Sequence, residues 1–262
     1  MSFFKALSNN LRPEHRLTKL LVSGIGEILM VMIGILLALQ VNNWNEDRKD
    51  RILETKYLNS LKLDLQVDLV NLEDMIGDRN RKISSAIALL KYTPPTDARG
   101  LIKLDSVIWS VYRWRNYLPR TSTLKELTNS GDLNIIRNDS IKTLLLRIEE
   151  RNGVVVTSTN HMEREYHMYL YDRTAGMREY SPLQNLDETS RMGRGVNDTL
   201  ISQERLQHFI AQTSDLLNDL TIRNGLKLAR GNNVYIRNQY LDIVADTKRL
   251  IGFIDEELAA RE

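Results

Sequence analysis

Residues Leu20 to Val41 form 22 consecutive positions without Lys, Arg or Asp, and no other feature of the sequence restricts the fold as much. At about 1.5 Å per residue, a helix of that length reaches across a hydrocarbon core roughly 30 Å thick. No other stretch approaches the ~18 consecutive apolar residues of a second span, so the remaining chain is expected to be water-soluble. Gln40 and Trp44 are the expected interfacial anchors: Trp44 follows the run at headgroup depth, and Gln40 is near enough to that edge to reach water. A cleaved signal peptide would have a shorter apolar region ending in small residues at alternate positions. Neither Leu36 with Ala38 nor Ala38 with Gln40 fits that pattern, which favours a retained signal anchor.

Orientation rests on the flanking charges. Lys5, Arg12, Arg16 and Lys19 precede the run, and Arg48, Lys49, Arg51 and Lys56 follow it, so a count over about 15 to 20 residues is a tie. Arg16 and Lys19 abut the membrane, whereas the other end opens with Asn42 to Asn45, Glu46 and Asp47. The expectation is a cytoplasmic N-terminus and an external C-terminal domain.

One carboxylate, Glu27, lies inside the apolar run. At 100° per residue, Ser23, Glu27, Gly34 and Ala38 fall within about 60° of one another, a narrow stripe of small and polar positions. Small residues four apart let a second helix approach closely. An acid at the bilayer centre costs at least about 2.5 to 3.5 kcal/mol, and a partner helix lowers that cost more than lipid does. The stripe Ser23, Glu27, Gly34 and Ala38 is therefore the expected membrane-helix interface. Two other settings for Glu27 stay open: the cytoplasmic headgroup boundary, and an ion pathway.

Beyond the span the apolar positions Leu53, Tyr57, Leu61, Leu65, Leu72, Ile76, Ile83, Ile87 and Leu90 recur at helical spacing. They predict a long membrane-proximal helix over 42–92, roughly 60 Å from Ile52 to Tyr92, stopped by Thr93, Pro94 and Pro95, with Gly77 as the place for a bend. A shorter helix is expected from Asp105 to Trp114, with Pro119 closing the connection. In residues 123–139, Thr123 and Glu126 have capping-box spacing, and Ser130-Gly131 reads as a helix stop that, followed by Leu133, Ile135 and Ile136, suggests a tight corner packed on the bundle. Asn138 or Asp139 caps a long helix bearing Ile141, Leu145, Ile148, Val155, Met162, Tyr166, Tyr169 and Leu170. Residues 181–199 read as a mobile loop. Helical spacing resumes at Leu206, Phe209 and Ile210 and runs through Leu217, Leu220, Leu228, Tyr235, Leu241, Ala245 and Ile254. The fold expected is all-α: one N-terminal transmembrane helix (20–41) after a basic tail (1–19), continuing into an elongated antiparallel helical bundle formed by 42–92 with 93–262.

Taken together, these segments resemble an uncharacterised family of single-span Bacteroidota membrane proteins known as a domain of unknown function. The likeness rests on the Gly-Glu opening at Gly26 and Glu27 and on the Leu-Gln-x-Asn-Asn-Trp-Asn exit at Leu39, Gln40, Asn42, Asn43, Trp44 and Asn45. It rests also on the Thr-x-x-Glu-Leu-x-x-Ser-Gly-x-Leu motif at Thr123, Glu126, Leu127, Ser130, Gly131 and Leu133. The resemblance implies an inner-membrane protein with a periplasmic helical domain, and it carries no activity.

Chemistry is sparse. The chain has no cysteine, which excludes disulfides, Cys-based zinc sites and thiol catalysis. Lys plus Arg number 36 against 34 for Asp plus Glu, too even for the broad basic field that holds nucleic acid. His161 with Glu165 and Glu163 with His167 have i, i+4 spacing, yet the two pairs diverge and ordinary surface pairing explains them better than a metal. No phosphate loop and no Gly-x-Ser-x-Gly occurs. Trp109, Tyr112, Trp114 and Tyr117, with Arg113 and Arg115, read as core with snorkelling arginines rather than as a ligand site.

No catalytic, cofactor-binding or metal-binding residue is therefore assigned, no cofactor is implied, and a small-molecule ligand is disfavoured. The expected function is a non-enzymatic subunit. Its partners are the lipid bilayer and, through the span, either a second copy or another inner-membrane protein, and it presents a periplasmic helical domain for protein–protein interaction. A periplasmic ligand-sensing module, and an oligomeric channel with Glu27 at its pore, are the alternatives.

Overall fold

The structure, a computed structural model, describes residues 16–180 and 202–261. Every element among them is helical: α1 (Arg16–Leu90), α2 (Ala98–Tyr112), α3 (Ser122–Ser130), a 3-10 turn (Asp132–Ile135), α4 (Asp139–Tyr166), a π turn (His167–Tyr171), α5 (Asp172–Ala175), α6 (Gln203–Asn218) and α7 (Leu220–Ala259). The all-α class is thus as expected. The loop expected at 181–199 and the first fifteen residues of the expected tail lie outside the described residues, and Arg16 to Lys19 already belong to α1. The chain divides into two compact units, residues 1–57 and 58–262.

In the first unit α1 carries a segment long and apolar enough to cross a membrane. Its large apolar side chains are exposed around the whole circumference; Ile28 is 67% exposed and Val41 is 64% exposed. A helix apolar on every side, with nothing packed over it, is either a membrane span or a core element missing its core. Just past the run, Asn42 Nδ2 donates to Glu46 Oε1 at 3.0 Å, one turn along the same helix.

In the second unit the remainder of α1 packs with α4 and α7. Lys62 meets Asp255 at 2.7 Å, and Arg79 donates to Asn233 at 3.1 Å. Partner numbers fall as those of α1 rise, so α1 and α7 run antiparallel. Asn138 donates to Glu257 at 3.2 Å, Arg151 to Asp246 at 3.1 Å, and Asn233 to Tyr166 at 3.1 Å, which sets α4 antiparallel to α7 as well. On α4 the buried positions include, besides Leu144, the line Ile141, Leu145, Ile148, Asn152, Val155, Thr159, Met162 and Tyr166. On α7 they include Ile222, Leu226, Ala229, Asn233, Ile236, Tyr240, Ile243, Thr247, Leu250 and Ile254. Both sets alternate steps of four and three, the seam of a coiled-coil-like pair. Gly225 permits the closest approach along it, since a Cβ there would lie 2.8 Å from both Leu170 Cδ2 and Tyr169 Cβ.

Several boundaries differ from expectation for local reasons. α2 begins at Ala98, seven residues before Asp105, because the Asp97 carboxylate accepts from Gly100 N at 2.8 Å and starts the helix directly after the prolines. Asp219 accepts from Thr221 N at 2.9 Å and from Ile222 N at 3.1 Å. It thereby caps α7 and separates it from α6, where periodicity alone ran one helix through. Leu220, Leu228, Tyr235 and Leu241, counted inward by the apolar pattern, are exposed. The inward positions they displaced include Asn233 and Thr247, polar residues that a hydrophobicity count passes over. Gly131 adopts φ 78° and ends α3 as expected, and Asn138 caps α4 through its side-chain oxygen.

Candidate functional site

The expected membrane interface stands on α1. Glu27, Gly34 and Ala38 are exposed, as are the anchors Gln40 and Trp44; Ser23 lies on the helix, with its side chain outside the described residues. A Cβ added at Gly34 would meet nothing within 4 Å. An apolar hollow beside Glu27 is lined by Ile28, Val31, Met32, Ile35 and Leu36. Gly34 and Ala38 lie outside that lining. The structure therefore leaves the four stripe residues on one helix face without bringing them together around a cavity.

The 123–133 motif is structural in a way its spacing did not reveal. Thr123 is not a cap; α3 starts one residue earlier, after Thr121, whose side chain makes no capping bond. The N-terminal donors of α3 are answered instead by Asp64 on α1. Its Oδ2 accepts from Thr123 Oγ1 at 2.7 Å, from Ser122 Oγ at 3.2 Å and from Thr123 N at 3.3 Å. One turn along, both Asp68 oxygens accept from Arg120 N at 3.0 Å. Two carboxylates at i, i+4 thus face the positive end of a helix dipole. Burial raises the Asp68 pKa above the usual value, against the lowering effect of Arg120 N and Tyr117. Leu127 is wholly buried, Ser130 Oγ donates to Glu126 O at 2.8 Å, Glu126 is exposed, and Leu133 is half-buried.

The feature that sequence reasoning missed is a buried polar centre on α1. Arg79 is 0% exposed and Lys82 1% exposed. Lys82 Nζ donates to Val111 O at 3.0 Å and to Arg113 O; Arg79 Nη2 donates to Arg115 O at 2.8 Å. These carbonyls lie at and just beyond the C-terminus of α2, where four acceptors lack intrahelical partners and where the dipole favours cations. Asn233 on α7 accepts from Arg79 and donates to Tyr166 OH. Burial pulls the Lys82 amine down to about 8, opposed by the Asp78 carboxylate beside it. Lys82 is buried and bonded to the carbonyls that end α2, so the centre clamps that helix. Its signal was present in the sequence: Leu72, Met75, Arg79, Lys82, Ala86 and Leu89 recur at steps of three and four, with two cations on the buried face.

Of the aromatic cluster expected as core, Tyr112 and Tyr117 are buried and half-buried Trp114 packs edge-on to Tyr166 at 5.1 Å between centroids, whereas Trp109 is 39% exposed and stands outside the core. Arg113 and Arg115 both approach Asp78, and Arg115 pairs with Asp74 at 2.5 Å. A buried ion pair joins Asp105 on α2 to Arg178 at 2.5 Å, where burial raises the Asp105 pKa against the pull of the guanidinium. His161 Nε2 lies 3.2 Å from Glu165, which also accepts from Asn232, whereas His167 faces Asp172 at 3.9 Å and not Glu163. Among the described residues no three metal-ligating side chains gather. A surface furrow of about 630 Å³ between α4 and α7 is lined by Thr157, His161, Arg164, Asn232 and Tyr235, among others.

Residues 27–224 match a family of unknown function, DUF6090. No curated protein and no solved structure matches the chain. With well over half of its length inside that match, the chain belongs to the family of unknown function DUF6090.

Proposed function

We propose that the protein is a non-enzymatic anchored subunit: one span holds it in the inner membrane of a Bacteroidota-type cell, with the N-terminus cytoplasmic. An elongated antiparallel helical bundle then faces the periplasm for protein–protein interaction. The observation that carries the reading is the collar of exposed apolar side chains from Ile25 to Val41, which water does not tolerate on a monomeric helix and lipid does. The same span oligomerises, or docks on a membrane partner, through Ser23, Glu27, Gly34 and Ala38, where only small and polar side chains stand.

Cross-linking through a cysteine placed at position 34, in native membranes, tests the contact. Gly34→Cys gives a specific adduct, with itself or with one partner, and Glu27→Leu weakens it. Absence of any adduct, together with recovery only as a monomer in mild detergent, contradicts the proposal. The open space around Gly34 makes the substitution harmless to the fold.

The 630 Å³ furrow favours a second reading, a periplasmic ligand-sensing module, because its volume falls in the range of small-molecule sites. A thermal shift of the full-length protein with an added metabolite extract, abolished by Tyr235→Ala, is the result that reading requires.

A further inference from the structure

Five cations collect at the C-terminal end of α2: Arg79, Arg81, Lys82, Arg113 and Arg115. Two carboxylates, Asp74 and Asp78, answer them. Arg79 and Lys82 are occupied by backbone carbonyls and Asn233, and Arg115 pairs with Asp74 at 2.5 Å. That leaves Arg81 and Arg113, and with the remaining nitrogens of Arg115 they converge on one atom: Asp78 Oδ1 lies 3.5 Å from Arg81, 4.0 Å from Arg113 and 3.7 Å from Arg115. A guanidinium carries five N–H donors, so one oxygen that accepts from Arg81 at 3.5 Å and lies beyond hydrogen-bond reach of Arg113 and Arg115 leaves most of their donors unanswered. Their side chains are 56%, 65% and 34% exposed, which leaves donors open to solvent.

The shortage of acceptors continues inward. Arg79 Nε and Trp114 Nε1 are buried N–H groups without an acceptor. The Arg79 guanidinium lies against the Arg115 carbonyl, at the floor of the cluster. Asp78 Oδ2 is likewise buried with no donor reaching it. The exposed forks of Arg81, Arg113 and Arg115 are the sign of a missing acceptor-rich group.

We infer that Arg81, Arg113 and Arg115 form an oxyanion site for a phosphate group, either free or on a lipid headgroup. Planar guanidinium forks match phosphate oxygens two by two, which a point charge does not. Arg81 and Arg113 supply the open forks, and Arg115 is shared with Asp74. Asp78 acts from behind as a positioning residue: it draws the three side chains to one point while its second oxygen stays buried away from the ligand. The site is independent of how the span is used.

The test takes the full-length protein in neutral detergent at pH 7 and compares phosphate with chloride at matched ionic strength. Phosphate raises Tm by about 3 °C, and the double variant Arg81→Gln/Arg113→Gln loses that rise while keeping its Tm in chloride. Arg113→Lys, which keeps the charge without the fork, shows a reduced rise. The source of phosphate is read from protection of Arg113 against an arginine-specific reagent. Inorganic phosphate protects in neutral phosphate-free detergent if the ligand is free; phosphatidylglycerol mixed into that detergent, without inorganic phosphate, protects if the ligand is a headgroup. Protection by neither, or a Tm rise undiminished in the double variant, overturns the site.

Discussion

Arg79 Nη1 donates to Asn233 Oδ1 at 3.1 Å, joining positions 154 apart in sequence inside a region where Arg79 is wholly buried. The pair ties α1 to α7, and the other terminal nitrogen of Arg79 reaches Arg115 O on the segment after α2. One side chain thus holds three elements in register.

Removing the amide leaves a buried guanidinium short of an acceptor, so Asn233→Ala destabilises the second unit by about 2–3 kcal/mol. Arg79→Met removes the charge and its demand together and costs less than Arg79→Ala, which leaves a cavity as well. Chemical unfolding of the full-length protein in detergent gives the order of the three.

Lys82 predicts a rise of stability with pH. Its folded pKa of about 8 lies below the ordinary 10.5, so between those values the unfolded chain binds a proton that the folded one has released. Stability is lowest below pH 8, where the buried charge is at full cost, and it rises by on the order of 2 kcal/mol toward pH 10. Above that the tyrosines reverse the trend, because burial pushes Tyr112 and Tyr166 up to about 12 and the folded state then holds the extra protons. Lys82→Met flattens the slope between pH 8 and 10 in the same unfolding measurement.

Thr123 and Asp64 are coupled although 59 positions separate them. Thr123→Val and Asp64→Ala each destabilise, and the double variant costs less than their sum by about 1 kcal/mol. A coupling near zero would return Thr123 to the local capping role that its spacing with Glu126 suggested.

Gly225 and Gly153 respond in opposite directions to alanine. At Gly225 the added Cβ meets Tyr169 Cβ and Leu170 Cδ2 at 2.8 Å, so the helices must part at a cost of about 1–3 kcal/mol. At Gly153 nothing lies within 4 Å, and relief of backbone freedom stabilises by about 0.5–1 kcal/mol. Thermal unfolding of the two variants reads the contrast.

The long helices, their stops at Ser130-Gly131 and at Pro94-Pro95, and the apolar span were legible because each is written in local chemistry: periodicity, a left-handed glycine, two rings without N–H. Ile76, Ile83, Ile87 and Leu90 show where such reading slips. They follow the apolar count on α1, but all are half-buried, and the buried line runs through Met75, Arg79, Lys82, Ala86 and Leu89. Charged residues at core positions make sense only once Val111 O, Arg113 O and Asn233 stand opposite them, and those partners come from other elements. Asp64 and Asp68 were silent for the same reason: a carboxylate on a helix surface carries no mark of the N-terminus it will cap. Of the candidate site, the span stripe was legible as a pattern, while the cluster around Asp78 required three segments to be folded together.

The span itself is tested most directly by alkaline carbonate extraction of native membranes containing the full-length chain. The apolar collar predicts that the intact polypeptide stays with the sedimented membranes, and that replacing Ile28, Val31 and Ile35 with Lys releases it. Recovery of the unaltered chain in the carbonate supernatant would contradict the account.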